Sequence, residues 1–134
     1  MNPSGTPTSA HKILLVEDDD VLANVYLSRL TLEGFEVKHV PNGEEALAAA
    51  IEYHPSLIVL DAMMPKITGF DVLDILRNTP ETANVRVIML TALSQAKDKE
   101  RAEKLGVDEY LVKSQVVIGD VVARIKHHLG IAQQ

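Results

Sequence analysis

Four strand-like segments of this sequence run into residues that can do chemistry. Ile13-Leu14-Leu15-Val16 runs into the acids Glu17 and Asp18, and Leu57 to Asp61 closes on its own carboxylate. Val85 to Leu90 runs into the hydroxyl of Thr91, and Glu109 to Lys113 ends on an ammonium. Carboxylates brought together without compensation repel one another, and a divalent cation is the economical remedy. The expected ion is Mg²⁺, a hard cation that takes oxygen ligands, keeps several waters and shares its shell with phosphate. An Asp61 carboxylate attacking phosphorus, with the cation, Thr91 and Lys113 neutralising the equatorial oxygens, makes a phosphoryl-transfer site.

These side chains need a scaffold that delivers them to one place. The unbroken apolar run before Asp61, bounded by Pro55-Ser56 and Met63-Met64-Pro65, suits the middle of a parallel sheet covered on both faces. The carboxyl edge of such a sheet is where open α/β folds place their ligand sites. From Lys12 onward short apolar strands alternate with helical patterns, as in βαβ units. The first helix is expected to begin in the acidic run, capped by Asp19 and Asp20, and to turn Leu22, Val25, Tyr26 and Leu30 inward before stopping at Gly34. Phe35 to Val40 reads as the second strand, and Asn42-Gly43 opens a helix with Ala46, Leu47 and Ala50 inside. A Pro- and Gly-punctuated loop after Asp61 leads to a helix holding Val72, Leu73 and Leu76. Ser94 to Leu105 is the most polar helix, with only Ala96, Ala102 and Leu105 as inward candidates, and is expected to be weakly held. The last helix shows a clean stripe of Ile118, Val121, Val122, Ile125 and Leu129. The sequence thus predicts an α/β fold with a doubly wound parallel sheet of five strands and five helices; alternation alone leaves the strand order open.

Composition narrows the function classes. The 134 residues suit one domain, and a net charge of −6 speaks against a nucleic-acid or anionic-membrane surface. Without cysteine there is no disulfide, thiolate zinc site or cysteine nucleophile. No apolar run approaches a membrane span and no signal stretch opens the chain, so a cytoplasmic protein is expected. Residues 1–11 read as a loose tail, 12–129 as the folded domain and 130–134 as a short C-terminal tail. The histidines (His11, His39, His54, His127 and His128) lack metal-ligand spacing and are read as ordinary structural side chains.

The motifs Leu15-Val16-Glu17-Asp18, Val59-Leu60-Asp61-Ala62-Met63-Met64-Pro65 with Gly69, Leu90-Thr91-Ala92 and Tyr110-Leu111-Val112-Lys113 stand in an order and spacing that resemble the receiver domain of two-component response regulators. The resemblance covers Lys12 to about Leu129 and implies a flavodoxin-like strand order of 2-1-3-4-5. It implies that a sensor histidine kinase or a phosphotransfer protein phosphorylates Asp61. Asp18 would ligate Mg²⁺ directly, Glu17 through water, and Asp61 with the Met63 carbonyl would complete the protein's share. Lys113 would pair with the phosphoryl group, and Thr91 would turn inward to bond it. Tyr110 would pack inward with Thr91, altering the face of the fourth helix, fifth strand and fifth helix, where an unknown output partner binds. Such a protein is a phosphoacceptor that catalyses only its own phosphoryl transfer and dephosphorylation, binds neither nucleic acid nor membrane directly, and is a monomer or a phosphorylation-dependent dimer. No output domain fits after Leu129, so the chain either acts alone or belongs to a longer regulator.

Two departures from the family pattern carry expectations. Ser114 stands where the family has proline after a cis bond; a cis bond before serine would cost roughly 3–4 kcal/mol, so a trans bond, an altered loop and a slightly displaced Lys113 are expected. Met63 and Leu93 flank the path of hydrolytic water and are both apolar, which predicts slow self-dephosphorylation. The main alternative is a degenerate receiver that binds partners without phosphorylation, disfavoured by the intact acids, Thr91 and Lys113. An aspartyl phosphohydrolase wants an acid where Met63 stands, and a flavodoxin wants a Ser/Thr/Gly-rich loop where the acids stand.

Overall fold

The structure, a computed structural model, describes residues 11–131. Apart from His11, Gly130 and Ile131, the two expected tails lie outside the described residues. Five parallel strands form one sheet in the order β2-β1-β3-β4-β5. They are β1 (Lys12–Val16), β2 (Glu36–Val40), β3 (Leu57–Leu60), β4 (Arg86–Thr91) and β5 (Glu109–Val112). The intervening helices are α1 (Asp20–Leu32), α2 (Gly43–Glu52), α3 (Gly69–Arg77), α4 (Ala96–Lys104) and α5 (Ile118–His128).

The side-chain alternation of the strands divides the core in two. Ile13, Leu15, Leu57, Val59, Ile88 and Leu90 meet Ala23, Tyr26 and Leu30 of α1 and Val121, Val122 and Ile125 of α5. Leu14, Val16, Ile58, Leu60, Val87 and Met89 face α2 and α3, with Ala102 of α4. Both faces of the central strands are therefore sealed, which is why their sequences read as unbroken apolar runs.

Local chemistry fixes the helix ends. Asp19 is the N-cap of α1, its side chain accepting from Leu22 N at 3.1 Å, and Asp20 lies in the first turn. Asn42 caps α2 by accepting from Glu45 N, and Thr68 caps α3 in a reciprocal capping box with Asp71. The chain leaves α1 through Gly34 at φ 100°, a left-handed conformation that glycine adopts without steric penalty.

Two helix faces differ from expectation. Val25 is exposed, because the inward stripe of α1 runs through Ala23, Tyr26 and Leu30 at helical spacing and leaves position 25 off that face. Ala96 is also exposed: only Ala102 of α4 is fully buried, with Leu105 half-buried just past its end. α4 has no side-chain cap bond and rests on few apolar contacts.

Candidate functional site

Strand register brings the reactive side chains together. Val16 pairs with Leu60, so Glu17 and Asp61 leave the sheet side by side, joined by Asp61 N donating to Val16 O at 3.2 Å. Leu60 pairs with Met89, and Thr91 pairs with Val112, which sets Lys113 just beyond Thr91 at the same edge. Carboxylate oxygens of Glu17, Asp18 and Asp61 lie within 4.8 Å of one another. Glu17 and Asp61 are buried, while Asp18 faces solvent.

A single ammonium offsets the two buried acids. Lys113 Nζ donates to Glu17 Oε1 at 2.8 Å and to Asp61 Oδ2 at 2.9 Å. The other oxygens are held by backbone donors: Met63 N to Asp61 Oδ1 at 2.9 Å and Asp19 N to Glu17 Oε2 at 3.2 Å. Burial still dominates at Glu17 and pushes its pKa up, against the opposing pull of the Lys113 and Asp19 hydrogen bonds. At Lys113 burial works to lower the pKa, but the bonds to Glu17 and Asp61 outweigh it and hold the ammonium above its ordinary value. Lys113 is thus a fixed positive charge at neutral pH.

The Lys113–Ser114 peptide is trans, as are the other peptide bonds among the described residues. A 3-10 turn spans Lys113–Gln115 with Ser114 exposed, and Lys113 at its start reaches both acids.

Thr91 and Tyr110 lie near this centre without touching its carboxylates. Thr91 is wholly buried, and its Oγ1 accepts from Leu93 N at 3.3 Å. Tyr110 is half-buried, and its hydroxyl donates to Leu93 O at 2.9 Å. Burial, with the charges of Asp98 and Asp61 behind it, raises the Tyr110 pKa and keeps the hydroxyl a donor. Both side chains therefore hold the same loop residue, Leu93, between β4 and α4.

The loop after Asp61 is built for close approach. A Cβ on Gly69 would lie 2.2 Å from the Asp61 carbonyl oxygen, and Gly69 N donates to Ala62 O at 3.0 Å. Lys66 sits at φ 68°, closed by Ile67 N to Pro65 O at 2.9 Å, a strained γ-turn. Met63 is 53% exposed beside Asp61, and it borders an apolar groove with Met64, Phe70 and Leu93. Arg101 of α4 closes one side of the groove, its guanidinium 4.3 Å from the Phe70 ring centroid.

The donor set suits a hard divalent cation: three carboxylates, no nitrogen or sulfur ligand, and one acid open to solvent. Sequence reasoning did not anticipate the part of His39, whose Nε2 lies 2.8 Å from the Glu17 carbonyl oxygen. The signal was Pro41, which ends β2 one residue after Val40. His128 was assigned only to a helix terminus, yet it lies 2.6 Å from Glu109 Oε1.

Comparison with known proteins agrees with this geometry. Residues 13–126 match the response regulator receiver domain family. The chain is 36% identical over 115 residues to the DNA-binding dual master transcriptional regulator RpaA of a Synechocystis species, covering 86% of this chain and 47% of that protein. It is 36% identical over 122 residues to the phosphate regulon transcriptional regulatory protein PhoB of Rhizobium meliloti, covering 91% and 53%. The chain spans about half the length of these curated relatives. The solved receiver domain of a Francisella response regulator superposes with a TM-score of 0.81 at 30% identity, covering 88% of this chain and 95% of that one. The chain belongs to the response regulator receiver family. It is a CheY-like receiver domain of a two-component signalling system, a phosphorylation-switched signalling module. Among the described residues no helix is long and apolar enough to cross a membrane.

Proposed function

We propose that Asp61 is the phosphoacceptor, that Glu17, Asp18, Asp61 itself and the Met63 backbone carbonyl hold Mg²⁺, and that Thr91 and Tyr110 relay the modification to the face formed by α4, β5 and α5. The observation that carries this reading is one buried carboxylate, Asp61, bracketed by two further acids and by Lys113 Nζ at 2.9 Å. An Asp61 oxygen attacks the donor's phosphorus, a P–O bond forms, and the bond to the donor breaks with its electron pair leaving on the donor. Lys113, already charged and already at Asp61, shifts its hydrogen bond onto a phosphoryl oxygen. Thr91 gives up Leu93 N and turns its hydroxyl to a second oxygen. Mg²⁺, when bound, supplies positive charge against the gathered acids and the incoming phosphoryl group.

The loss of the Thr91 contact loosens Leu93, and Tyr110 then moves inward with Thr91. A population shift follows, with phosphate favouring a state in which α4 and its neighbours present a different surface. The phosphodonor is a sensor histidine kinase or phosphotransfer protein, and the setting is cytoplasmic, both by likeness to the family. A titration with BeF₃⁻ followed by NMR tests this reading. With Mg²⁺ present, resonances of Thr91, Leu93, Tyr110 and Lys113 move together; a spectrum unchanged by BeF₃⁻ and Mg²⁺ contradicts it.

A further inference from the structure

β2 is an edge strand, and it stops just where the acid loop begins. Glu17 N donates to Val40 O at 3.2 Å, the last rung of the β1–β2 ladder. A parallel ladder carried one step further would send the Asn42 N–H to the Glu17 carbonyl. Pro41 turns the chain away instead, and Asn42 serves as the N-cap of α2. The Glu17 carbonyl is met by a side chain, His39 Nε2 at 2.8 Å. A carbonyl oxygen only accepts, so Nε2 carries the proton. Glu17 is then held at four points: Val40 O on its amide, His39 on its carbonyl, and Lys113 and Asp19 N on its carboxylate.

We infer that His39 is a positioning residue for the acid centre. Its ring replaces the missing rung of the ladder and fixes the peptide between Glu17 and Asp18, and so the direction in which both acids face Asp61. His39 touches neither phosphate nor ion; it acts through the Glu17 backbone. This inference rests on the metal-binding reading of Glu17, Asp18 and Asp61 proposed above.

The test compares the purified wild-type chain with His39→Val, which suits an edge strand, and His39→Gln, whose amide nitrogen reaches about as far as Nε2. Mg²⁺ affinity is measured by calorimetry, alongside thermal unfolding. The expected result is a roughly three- to tenfold weaker Mg²⁺ affinity for His39→Val, the loss of one backbone-anchoring hydrogen bond, and recovery to near the wild-type value for His39→Gln. A merely structural role would lower the unfolding temperature while leaving the affinity of the folded protein unchanged. Nitrogen-detected NMR of wild-type His39 supplies a readout that needs no variant to fold, and the Nε2–H tautomer is expected. Unaltered Mg²⁺ affinity in His39→Val, or a Nδ1–H tautomer, overturns the role of His39 and leaves the acid centre standing. Failure of the wild-type chain to bind Mg²⁺ overturns the reading of the acid centre itself, and the role of His39 with it.

Discussion

Lys113 lends one charge to two buried carboxylates, and the site's chemistry depends on how closely other atoms crowd that trio. Gly69 is the tightest point, because a Cβ there would lie 2.2 Å from the Asp61 carbonyl oxygen and 2.7 Å from Ala62 Cα. Those atoms are backbone and cannot step aside, so Gly69→Ala is expected to destabilise the fold by about 1–3 kcal/mol in chemical denaturation and to slow phosphorylation of Asp61. On the proposed reading, Met63 and Leu93 set the lifetime of the product. Neither can hydrogen-bond an attacking water, so Met63→Asn combined with Leu93→Glu is expected to shorten the phosphoryl lifetime, measured by loss of label after donor removal. An unchanged or longer lifetime contradicts the expectation. Glu17, Asp18, Asp61, Thr91 and Lys113 were legible in the sequence because each follows or closes a strand pattern, and parallel strands deliver their ends to one edge. His39 went unread: Pro41 marks where β2 stops, but the backbone carbonyl left for His39 to meet shows only once the strands are paired. The backbone contact of Met63 N with Asp61 Oδ1 was hidden for the same reason.

Helix α4 stands apart from the other elements. It buries only Ala102, lacks a side-chain cap, and is steadied by the stacking of Arg101 on Phe70 and by Leu93, which Tyr110 and Thr91 hold. Few buried contacts mean low local stability, so amide exchange in α4 is expected to be the fastest of the five helices. Exchange slower than in α1 or α5 would count against it as the moving element. α5 is bound to the sheet through charge as well as its apolar stripe: Glu109 of β5 accepts from Arg124 at 2.8 Å and lies 2.6 Å from His128. Burial works to raise the Glu109 pKa, but the bonds to His128 and Arg124 outweigh it and bring the pKa below its ordinary 4.5. A carboxylate with a lowered folded pKa stabilises above its unfolded value, and that contribution disappears as pH falls through the folded one. Glu109→Gln is therefore expected to lower stability by about 1 kcal/mol at neutral pH, with the gap to wild type closing on acidification below 4.5 in urea titrations. A gap that widens in acid would refute the linkage. Helix existence was readable from periodicity, yet the inward face of α1 was misjudged at Val25 because a small residue, Ala23, begins the buried stripe that Tyr26 and Leu30 continue. The clamp on Asp108, which binds Arg77 and the Val87 amide, joins α3, β4 and the segment before β5, and no local pattern announces it.

In the complete fold, strand order β2-β1-β3-β4-β5 places β1 and β3 side by side, and their carboxyl ends supply all three acids. Alternating strands and helices made the architecture legible, whereas the order of the strands came from family resemblance, because long-range pairing leaves no local trace. The same topology sets Thr91 and Lys113 at the ends of the neighbouring strands β4 and β5, so on the proposed reading a change at Asp61 is felt first on the side that carries α4 and α5. Incubating the purified chain with labelled acetyl phosphate and mapping the label by mass spectrometry puts this arrangement to the test. One phosphoryl group on the peptide containing Asp61, dependent on Mg²⁺ and lost in Asp61→Asn, is the predicted result. Label that persists in Asp61→Asn, or that forms equally well after chelation of divalent ions, would contradict it.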